Sequence, residues 1–390
     1  MAQAIRLFTL VIALTGAVAP AWAAGPQGVT DTEIVVGTHQ DLSGPIAFWG
    51  VPVRNGMQMA ADEINASGGI HGRKIKLVVE DSGYDPKKAV LATQKMLSRD
   101  NIFIMAGAMG TPTVLATMPL VLQKGLPHVF PLTSADQMYE PYDKLKFALF
   151  TPYTFAMRVA TKWFVETKHK KAVCVLHQDD EFGLNVKRGV EEQLHAMKLT
   201  LVSTTTYKRG ATDFSSQIAK LRADKCDLVA LGTVIRETVG AMAEAKKLGW
   251  QVDMVGSQAA YAPEVAGLGK DVVEGLYAAG QTPIPYYDGA SPQVKAWLDN
   301  YKAKFNADGN IQSVAGYDVV MVMAEGLKHA GKNLTADSFV EGLHKVKSYS
   351  DIFGGAPVSF SPGNHLATKS AFVAQIKSGR WVTVTDHLAY

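Results

Sequence analysis

Short apolar runs rich in β-branched residues alternate with longer amphipathic segments along the first part of the chain. EIVVG, KIKLVVED, IFIMAG and LPHVFP have the composition of buried strands. The first amphipathic segment, 52–66, has an apolar face formed by Val53, Met57, Ala60, Ala61 and Ile64. Further helices are predicted from Asp85-Pro86 to about residue 99 and from Thr111-Pro112 onward. This alternation predicts βαβ units around a parallel sheet.

A second series of the same kind runs from AVCVLHQ through DLVALG and DMVGS to EGLYAAG. The predicted helices of this series lie near 185–197, 213–223 and 237–247. A mostly helical stretch, 291–347, follows, and the pair AFVAQI and RWVTV predicts a closing hairpin. Two such series predict an α/β protein with two Rossmann-like lobes.

The chain is expected to cross between the lobes three times. Glycine or proline marks each predicted crossover, near 150–151, 281–283 and 354–358, although ordinary turns have the same composition. The predicted first lobe comprises 24–150 plus 281–357, and the predicted second lobe comprises 151–280 plus 358–390.

The N-terminal segment has the features of a secretory signal peptide. Arg6 precedes an apolar run from Leu7 to Val18, and the small-residue pattern Ala21-Trp22-Ala23 follows it. A retained membrane helix is the alternative, but it needs about 20 apolar residues. We therefore expect cleavage near Ala23-Ala24 and a mature protein in the periplasm.

Composition and charge narrow the class of protein. With 47% hydrophobic and 19% charged residues the chain is globular, and its net charge of +3 is too small to favour nucleic acid as a partner. The two cysteines, Cys174 and Cys226, lie in apolar runs and are expected to be buried free thiols, with a disulfide as the alternative in an oxidising compartment. No histidine pair lies at ligand spacing beside them, so no metal site and no cofactor are predicted.

Several motifs in order along the chain carry a family resemblance. They are GTHQDLSGP at 37–45 followed by Trp49-Gly50, ADEINASGGI at 61–70, Asp85-Pro86, HQDDEFG at 177–183, GATDFS at 210–215 and Gly354-Gly355. With these motifs the sequence resembles the branched-chain amino acid binding family of periplasmic receptors, which has the type I periplasmic binding fold. The resemblance implies two lobes joined by three hinge crossovers, a ligand in the cleft between them, and a permease partner in an ABC importer. A sensor of the same fold is the alternative.

The segment Met109-Gly110-Thr111 leads from a predicted strand into a helix. The first N–H groups of such a helix have no internal partner and lie at the positive end of its dipole, which favours a carboxylate. Ligands of open α/β sheets also bind at the carboxyl ends of the strands. The resemblance implies that this loop holds the ligand carboxylate, with Thr111 supplying the hydroxyl because Gly110 stands where the family often has serine. An ordinary capped turn is the alternative.

Leu132-Thr133-Ser134 follows the next strand and offers similar groups to the same carboxylate. The resemblance implies that the matching positions bind both the amino and the carboxylate group of the ligand. Trp49 and Phe182, each placed after a strand of a different lobe, are predicted to form apolar walls of the cleft, with packing onto their own lobes as the alternative.

Two positions bear on the class of ligand. Gln258 aligns with a family segment in which an acidic residue neutralises the α-ammonium group, and a neutral amide suits a ligand without that group. Arg236 follows the DLVALG strand and is expected to pair with a carboxylate, with a surface pair with Glu237 as the alternative. Together they make an aromatic or other non-amino carboxylate a serious competitor to a leucine-like, branched-chain amino acid as the expected ligand.

An enzyme is not predicted. The chain has no P-loop and no G-x-S-x-G elbow. The acidic run 177–181 has the residue types of acid–base or metal chemistry, but successive side chains point in different directions, so a solvated loop at the cleft mouth is expected instead. A monomer is the expected oligomeric state.

Overall fold

The computed structural model describes residues 26–388, which form two α/β lobes. The predicted signal peptide lies outside the described residues. Within residues 26–388, no helix combines the length and the hydropathy needed to span a membrane.

Twelve strands and eleven α-helices are described. The strands are β1 Glu33–Gln40, β2 Lys74–Asp81, β3 Ile104–Ala106, β4 His128–Val129, β5 Lys146–Phe147, β6 Val173–Gln178, β7 Ser203–Tyr207, β8 Leu228–Gly232, β9 Asp253–Gly256, β10 Tyr277–Gly280, β11 Phe372–Lys377 and β12 Arg380–Thr383. The helices are α1 Ala47–Ala66, α2 Pro86–Ser98, α3 Thr111–Gln123, α4 Tyr153–Thr167, α5 Glu181–Ala196, α6 Ser215–Ala223, α7 Ile235–Lys247, α8 Pro263–Gly269, α9 Pro292–Phe305, α10 Ile311–Ala330 and α11 Ala336–His344.

Two mostly parallel sheets confirm the predicted α/β class. The first has the strand order β2-β1-β3-β4-β5, and all its pairs are parallel. The second has the order β12-β11-β10-β9-β8-β6-β7, in which the closing hairpin pairs antiparallel with β10. The carboxyl ends of β3 and β4 carry the two loops that were predicted to bind a carboxylate.

Helix α10 packs closely against α1 in the first lobe. A Cβ atom at Gly56 would lie 1.9 Å from the backbone oxygen of Ser313, and one at Gly316 would lie 2.1 Å from that of Val53. Only glycine at these two positions lets the helix backbones approach so closely. The contact fixes the rotation of α10 about its axis, and with it the direction of the side chains that follow Gly316.

The start of α5 differs from the prediction near residue 185. Helix α5 begins at Glu181 because the Asp180 side chain caps it, accepting a hydrogen bond from the N–H of Phe182 at 3.1 Å. Helix α1 likewise begins at Ala47, before the predicted start, after a turn in which the Asp41 carboxylate accepts the N–H of Ile46 at 2.7 Å.

The third crossover lies later than 354–358. Leu366 forms a β-bridge with Ala148 of the first lobe, and the Phe360 ring stacks on Phe130 at 5.5 Å between centroids. The chain rejoins the second sheet only at β11. We therefore place this crossover between residues 367 and 371, because the apolar side chains of the preceding segment are buried against the first sheet.

The two cysteines form a disulfide, so the expectation of free thiols is wrong. Cys174 and Cys226 have Cα atoms 5.9 Å apart, a separation that a disulfide bridges readily. Cys174 lies on β6, but Cys226 precedes the neighbouring strand β8 rather than lying at its centre. Residues at the centres of neighbouring strands rarely have the geometry of a disulfide, and this pair avoids that arrangement.

Candidate functional site

A cavity lies between the two lobes. It is lined by residues from the strand ends of both sheets, from α10 and from the crossovers. Nine of the ten residues that the sequence singles out line it: Trp49, Met109, Gly110, Thr111, Leu132, Thr133, Ser134, Phe182 and Gln258. Arg236 does not. The structure thus brings the predicted loops together, and their contact with a ligand remains a prediction.

Gly110 shapes the entrance to α3. Its φ is +89°, and a Cβ atom there would lie 2.5 Å from Cε2 of Tyr84. The N–H of Gly110 donates to Leu132 O at 3.2 Å, which ties the two strand-end loops together. Val114 donates the first i→i−4 bond of the helix, so the N–H groups of Thr111 and Thr113 precede the hydrogen-bond ladder. This geometry provides donors for an anion.

Hydroxyl groups surround the same helix end. Oγ1 of Thr111 and Oγ1 of Thr133 lie 2.5 Å apart, and both side chains are buried. Tyr153, the first residue of α4, donates its N–H to Ser134 O at 2.7 Å. Burial raises the pKa of the Tyr153 hydroxyl to about 12, against the lowering effect of hydrogen bonds from Ser134 and Thr133. Tyr153 therefore stays protonated at neutral pH.

Tyr84 forms part of the wall beside Gly110. Its backbone is left-handed, with φ +56°, and its hydroxyl accepts a hydrogen bond from Gln178 Nε2 at 3.2 Å. Arg209 of the second lobe donates to Tyr84 O at 2.9 Å and places its guanidinium 5.5 Å from the ring centroid. Tyr84 thus connects the lobes at one side of the cavity.

The two predicted aromatic walls differ in their settings. Trp49 reaches across the cleft and donates its indole N–H to Ala259 O at 3.2 Å. Phe182 is 2% exposed and packs edge-on against Tyr153, with centroids 5.1 Å apart. Phe182 therefore belongs both to the core of its own lobe and to the cavity wall.

Gln258 connects the cavity to the hinge. Its Nε2 donates to Thr151 O at 2.8 Å, while its Oε1 is buried and has no hydrogen-bond partner in the described part of the chain. The N–H of Thr151 donates to Gln281 Oε1 at 2.7 Å, and its hydroxyl donates to Ser370 O at 2.7 Å. One residue of the first crossover is thus bonded to the other two crossovers.

Arg236 lies outside the cavity. Its exposed guanidinium lies 5.4 Å from the ring centroid of Phe48 on the opposite lobe. Val234, the residue before α7, lines the cavity instead. Because successive helical residues are rotated by about 100°, a residue two positions beyond the cavity wall points to the outer surface. The expected pairing of Arg236 with a ligand carboxylate is not supported.

The sequence reasoning missed a group of polar residues at the cavity: Gln281, Thr282, Asp318, Tyr349 and Asp351. The sequence itself marks Asp318 as an unusual position. It is four residues from both Val314 and Val322 on α10, so an acidic side chain lies in the apolar stripe of a helix. Tyr349 and Asp351 lie in an irregular segment that no periodicity marks.

The acidic run at 177–181 forms ordinary structural contacts. Asp180 caps α5 and accepts from Gln178 Nε2 at 2.6 Å, and the side chain of Asp179 pairs with Lys208. Within residues 26–388, no three His, Cys, Asp or Glu side chains are grouped so as to hold a metal ion.

Comparisons with known proteins agree with this architecture. A family model described as periplasmic binding protein matches residues 33–380. The leucine-, isoleucine-, valine-, threonine- and alanine-binding protein of Pseudomonas aeruginosa is 26% identical over 291 residues, which cover 75% of this chain and 77% of the relative.

Solved structures show the same fold. A branched-chain amino acid ABC transporter protein from Thermus thermophilus with bound valine superposes with a TM-score of 0.83 at 16% identity, covering 94% of this chain and 98% of the other. A fatty acid ABC transporter substrate-binding protein from Thermomonospora curvata also superposes with a TM-score of 0.83. Its identity is 24%, and the superposition covers 94% of this chain and 95% of the other. At these identities the likeness establishes the fold, and the predicted type I periplasmic binding fold is confirmed.

Proposed function

Because the chain belongs to the periplasmic binding protein family, we propose that it is the extracytoplasmic solute-binding component of an ABC importer and closes on a small carboxylate ligand. The family and the relatives consist of binding proteins, so the chain is a binding protein and not an enzyme. The observation that carries the proposal is the cavity between the lobes, where the first turn of α3 and the Thr111 and Ser134 side chains meet.

The carboxylate is proposed to bind at the N-terminus of α3. The N–H groups of Thr111 and Thr113 and the hydroxyls of Thr111 and Ser134 are neutral donors in a largely buried setting. Hydrogen bonds from such donors to an anion are stronger than bonds between neutral groups. The apolar part of the ligand would then lie among Trp49, Phe182 and the aliphatic lining.

Closure of the lobes is proposed to follow ligand binding to the first lobe. Hydrogen bonds span the cleft from Trp49 to Ala259, from Gln178 to Tyr84 and from the Asp136 N–H to Asn185 Oδ1 at 2.9 Å. A ligand favours this closed arrangement only through contacts that both lobes make with it. Rotation at the three crossovers is a common way to achieve such closure.

The ligand class is proposed from the site and from the relatives together. The Pseudomonas aeruginosa relative is named for its binding of aliphatic amino acids, and the Thermomonospora curvata structure is that of a fatty acid transporter component. Both kinds of ligand carry a carboxylate on an apolar body. Arg236 does not line the cavity, so of the two positions that argued for a ligand without an amino group only Gln258 still does so.

Location and partners follow from the same proposal. The protein would be exported by a signal peptide cleaved near Ala23-Ala24, act as a monomer in the periplasm, and dock on a membrane permease. No nucleic acid partner is proposed. A neighbouring pair of genes for a permease and an ATPase would support the importer role, and a neighbouring signalling gene would support a sensor.

A thermal-shift screen tests the ligand proposal. Aliphatic amino acids, aliphatic acids and aromatic acids are each added to the protein, and a ligand that binds only the folded form raises its melting temperature. The Ser134→Ala variant should lose most of the shift, whereas Ser216→Ala on the exposed face of α6 should retain it. The absence of a shift with every carboxylate would reject the proposed function.

A further inference from the structure

The cavity contains a second polar region besides the N-terminus of α3. Asp318 on α10 lies there with Tyr349 and Asp351. These residues belong to α10 and to the segment 349–351, whereas Thr111 and Ser134 belong to the loops that follow β3 and β4. We call the region formed by Asp318, Tyr349 and Asp351 the acidic subsite.

Asp318 has an unused acceptor in the acidic subsite. Its Oδ1 is buried and has no hydrogen-bond partner within residues 26–388. Val314 and Val322, one helical turn to either side, also line the cavity, so this face of α10 is the one that forms the wall. Burial raises the pKa of Asp318, and the nearby Asp351 carboxylate raises it further.

Asp351, by contrast, is already well bonded. Its Oδ1 accepts the N–H groups of Phe353 at 2.6 Å, Gly354 at 2.8 Å and Gly355 at 3.2 Å. These bonds stabilise a carboxylate in the loop and leave Asp318 as the acceptor with spare capacity. A buried acceptor without a donor is unfavourable until something supplies one.

The described residues supply no cation to this cavity. Among the described residues that line it, none is Lys, Arg or His, and the two charged residues are both Asp. A ligand that carried only a carboxylate would leave Asp318 without a donor. No described residue donates a hydrogen bond to Asp318 Oδ1, so a ligand in the cavity is able to supply the donor.

We propose that the ligand carries, in addition to its carboxylate, a hydrogen-bond donor that bonds to Asp318, either a protonated amine or a hydroxyl group. This inference rests on the proposed function, because it takes the carboxylate to lie at α3. The site is then expected to bind carboxylates that bear a donor group and to discriminate against simple aliphatic acids.

Calorimetric titration with matched acids tests the inference. The first series is hexanoate, 6-hydroxyhexanoate and 6-aminohexanoate, which share one skeleton. The second is 3-phenylpropanoate against 3-(4-hydroxyphenyl)propanoate, and the third is 4-methylpentanoate against leucine. In at least one series the donor-bearing acid should bind the wild-type protein at least tenfold more tightly than its parent, a difference of about 1.4 kcal/mol.

Two variants of Asp318 distinguish a charged donor from a neutral one. Asp318→Asn removes the charge but keeps an acceptor, whereas Asp318→Leu removes both and suits the apolar stripe of α10. Loss of the preference in both variants indicates an amine, and loss only in Asp318→Leu indicates a hydroxyl. The control Asp337→Asn, at an exposed site on α11, should keep the wild-type preference.

The outcomes separate the inference from the proposed function. If parent acids bind the wild-type protein as tightly as their donor-bearing analogues, or if Asp318→Leu keeps the preference, the inference is overturned while carboxylate binding stands. If no acid in the panel binds, the proposed function fails and the inference fails with it. Melting temperatures of both variants confirm that they are folded.

Discussion

The two lobes present different chemistry to the cavity. The first lobe supplies the N-terminus of α3, the hydroxyls of Thr111 and Ser134, and the carboxylate of Asp318. The second lobe supplies mainly apolar and aromatic surface, with Phe182 and Val234 as examples. If a ligand binds as proposed, the first lobe selects its polar groups, and the second lobe mainly excludes water when the cleft closes.

The largest effect on ligand binding by the first lobe is expected from Gly110→Ala. Alanine at φ +89° is strained, and its Cβ would lie 2.5 Å from the Tyr84 ring, so the polar wall of the first lobe would be displaced. Calorimetry should show at least a hundredfold loss of affinity, about 2.7 kcal/mol. Gly249→Ala is a matched control, since it has φ +63° and open space around it. Equal binding by the two variants would contradict the assignment of the carboxylate to α3.

A smaller effect is expected from Trp49→Ala. The indole forms an apolar wall and donates across the cleft to Ala259, so its loss weakens both ligand packing and closure. We expect a loss of affinity of about ten- to thirtyfold, or about 1.4–2 kcal/mol, with the free protein still folded. An unchanged affinity measured by calorimetry would show that this side of the first lobe does not take part in ligand binding.

Asp318→Asn should stabilise the ligand-free protein by about 1 kcal/mol at neutral pH, because burial close to Asp351 disfavours the ionised form of Asp318, which asparagine does not have. Burial raises the pKa of Asp318, so the folded protein holds this proton more tightly than the unfolded chain does. Wild-type stability relative to the variant should therefore be highest at low pH. It should fall as the pH rises from about 3.9, the ordinary Asp pKa, through the raised value.

Chemical denaturation at a series of pH values measures this difference in the free energy of unfolding. Tyr349 also faces Asp318, but its pKa is raised far above neutrality, so it does not titrate in the range of interest. A difference between wild type and variant that does not change with pH would show that Asp318 is not an unfavourable buried charge.

The smallest effect is expected from Arg236→Ala. Its guanidinium contacts the exposed Phe48 ring at the cleft mouth, and such exposed contacts contribute about 0.5–1 kcal/mol. Ligand affinity should fall by no more than about fivefold, equally for all carboxylates. A loss confined to ligands without an amino group would restore Arg236 as a carboxylate partner and would give the second lobe a selective role.

The sequence predicted that the two first-lobe loops meet, because one rule governs their position. Residues that follow parallel strands meet at the carboxyl edge of the sheet, so Gly110, Thr111 and Ser134 were brought together in the prediction and are brought together in the structure. The α/β class and the positions of most helices followed from the spacing of apolar residues in the same way.

The differences between the expected and the observed cavity lining have equally specific causes. Arg236 lies only two residues beyond the cavity-lining Val234, but the start of α7 turns it outward. Asp318 reaches the cavity through the packing of α10 against α1, a contact between segments more than 200 residues apart. No local pattern specifies such a contact, although an acid within an apolar stripe indicated that the position was unusual.

The hydrogen bonds of Thr151 have a mechanical consequence. Because this residue of the first crossover is bonded to Gln281 and to Ser370 of the other two, bending one connection strains its hydrogen bonds to the others. The lobes should then reorient as rigid bodies along a single coordinate. One distance, measured between spectroscopic labels on the two rims of the cleft, would then be enough to report how far the lobes have closed.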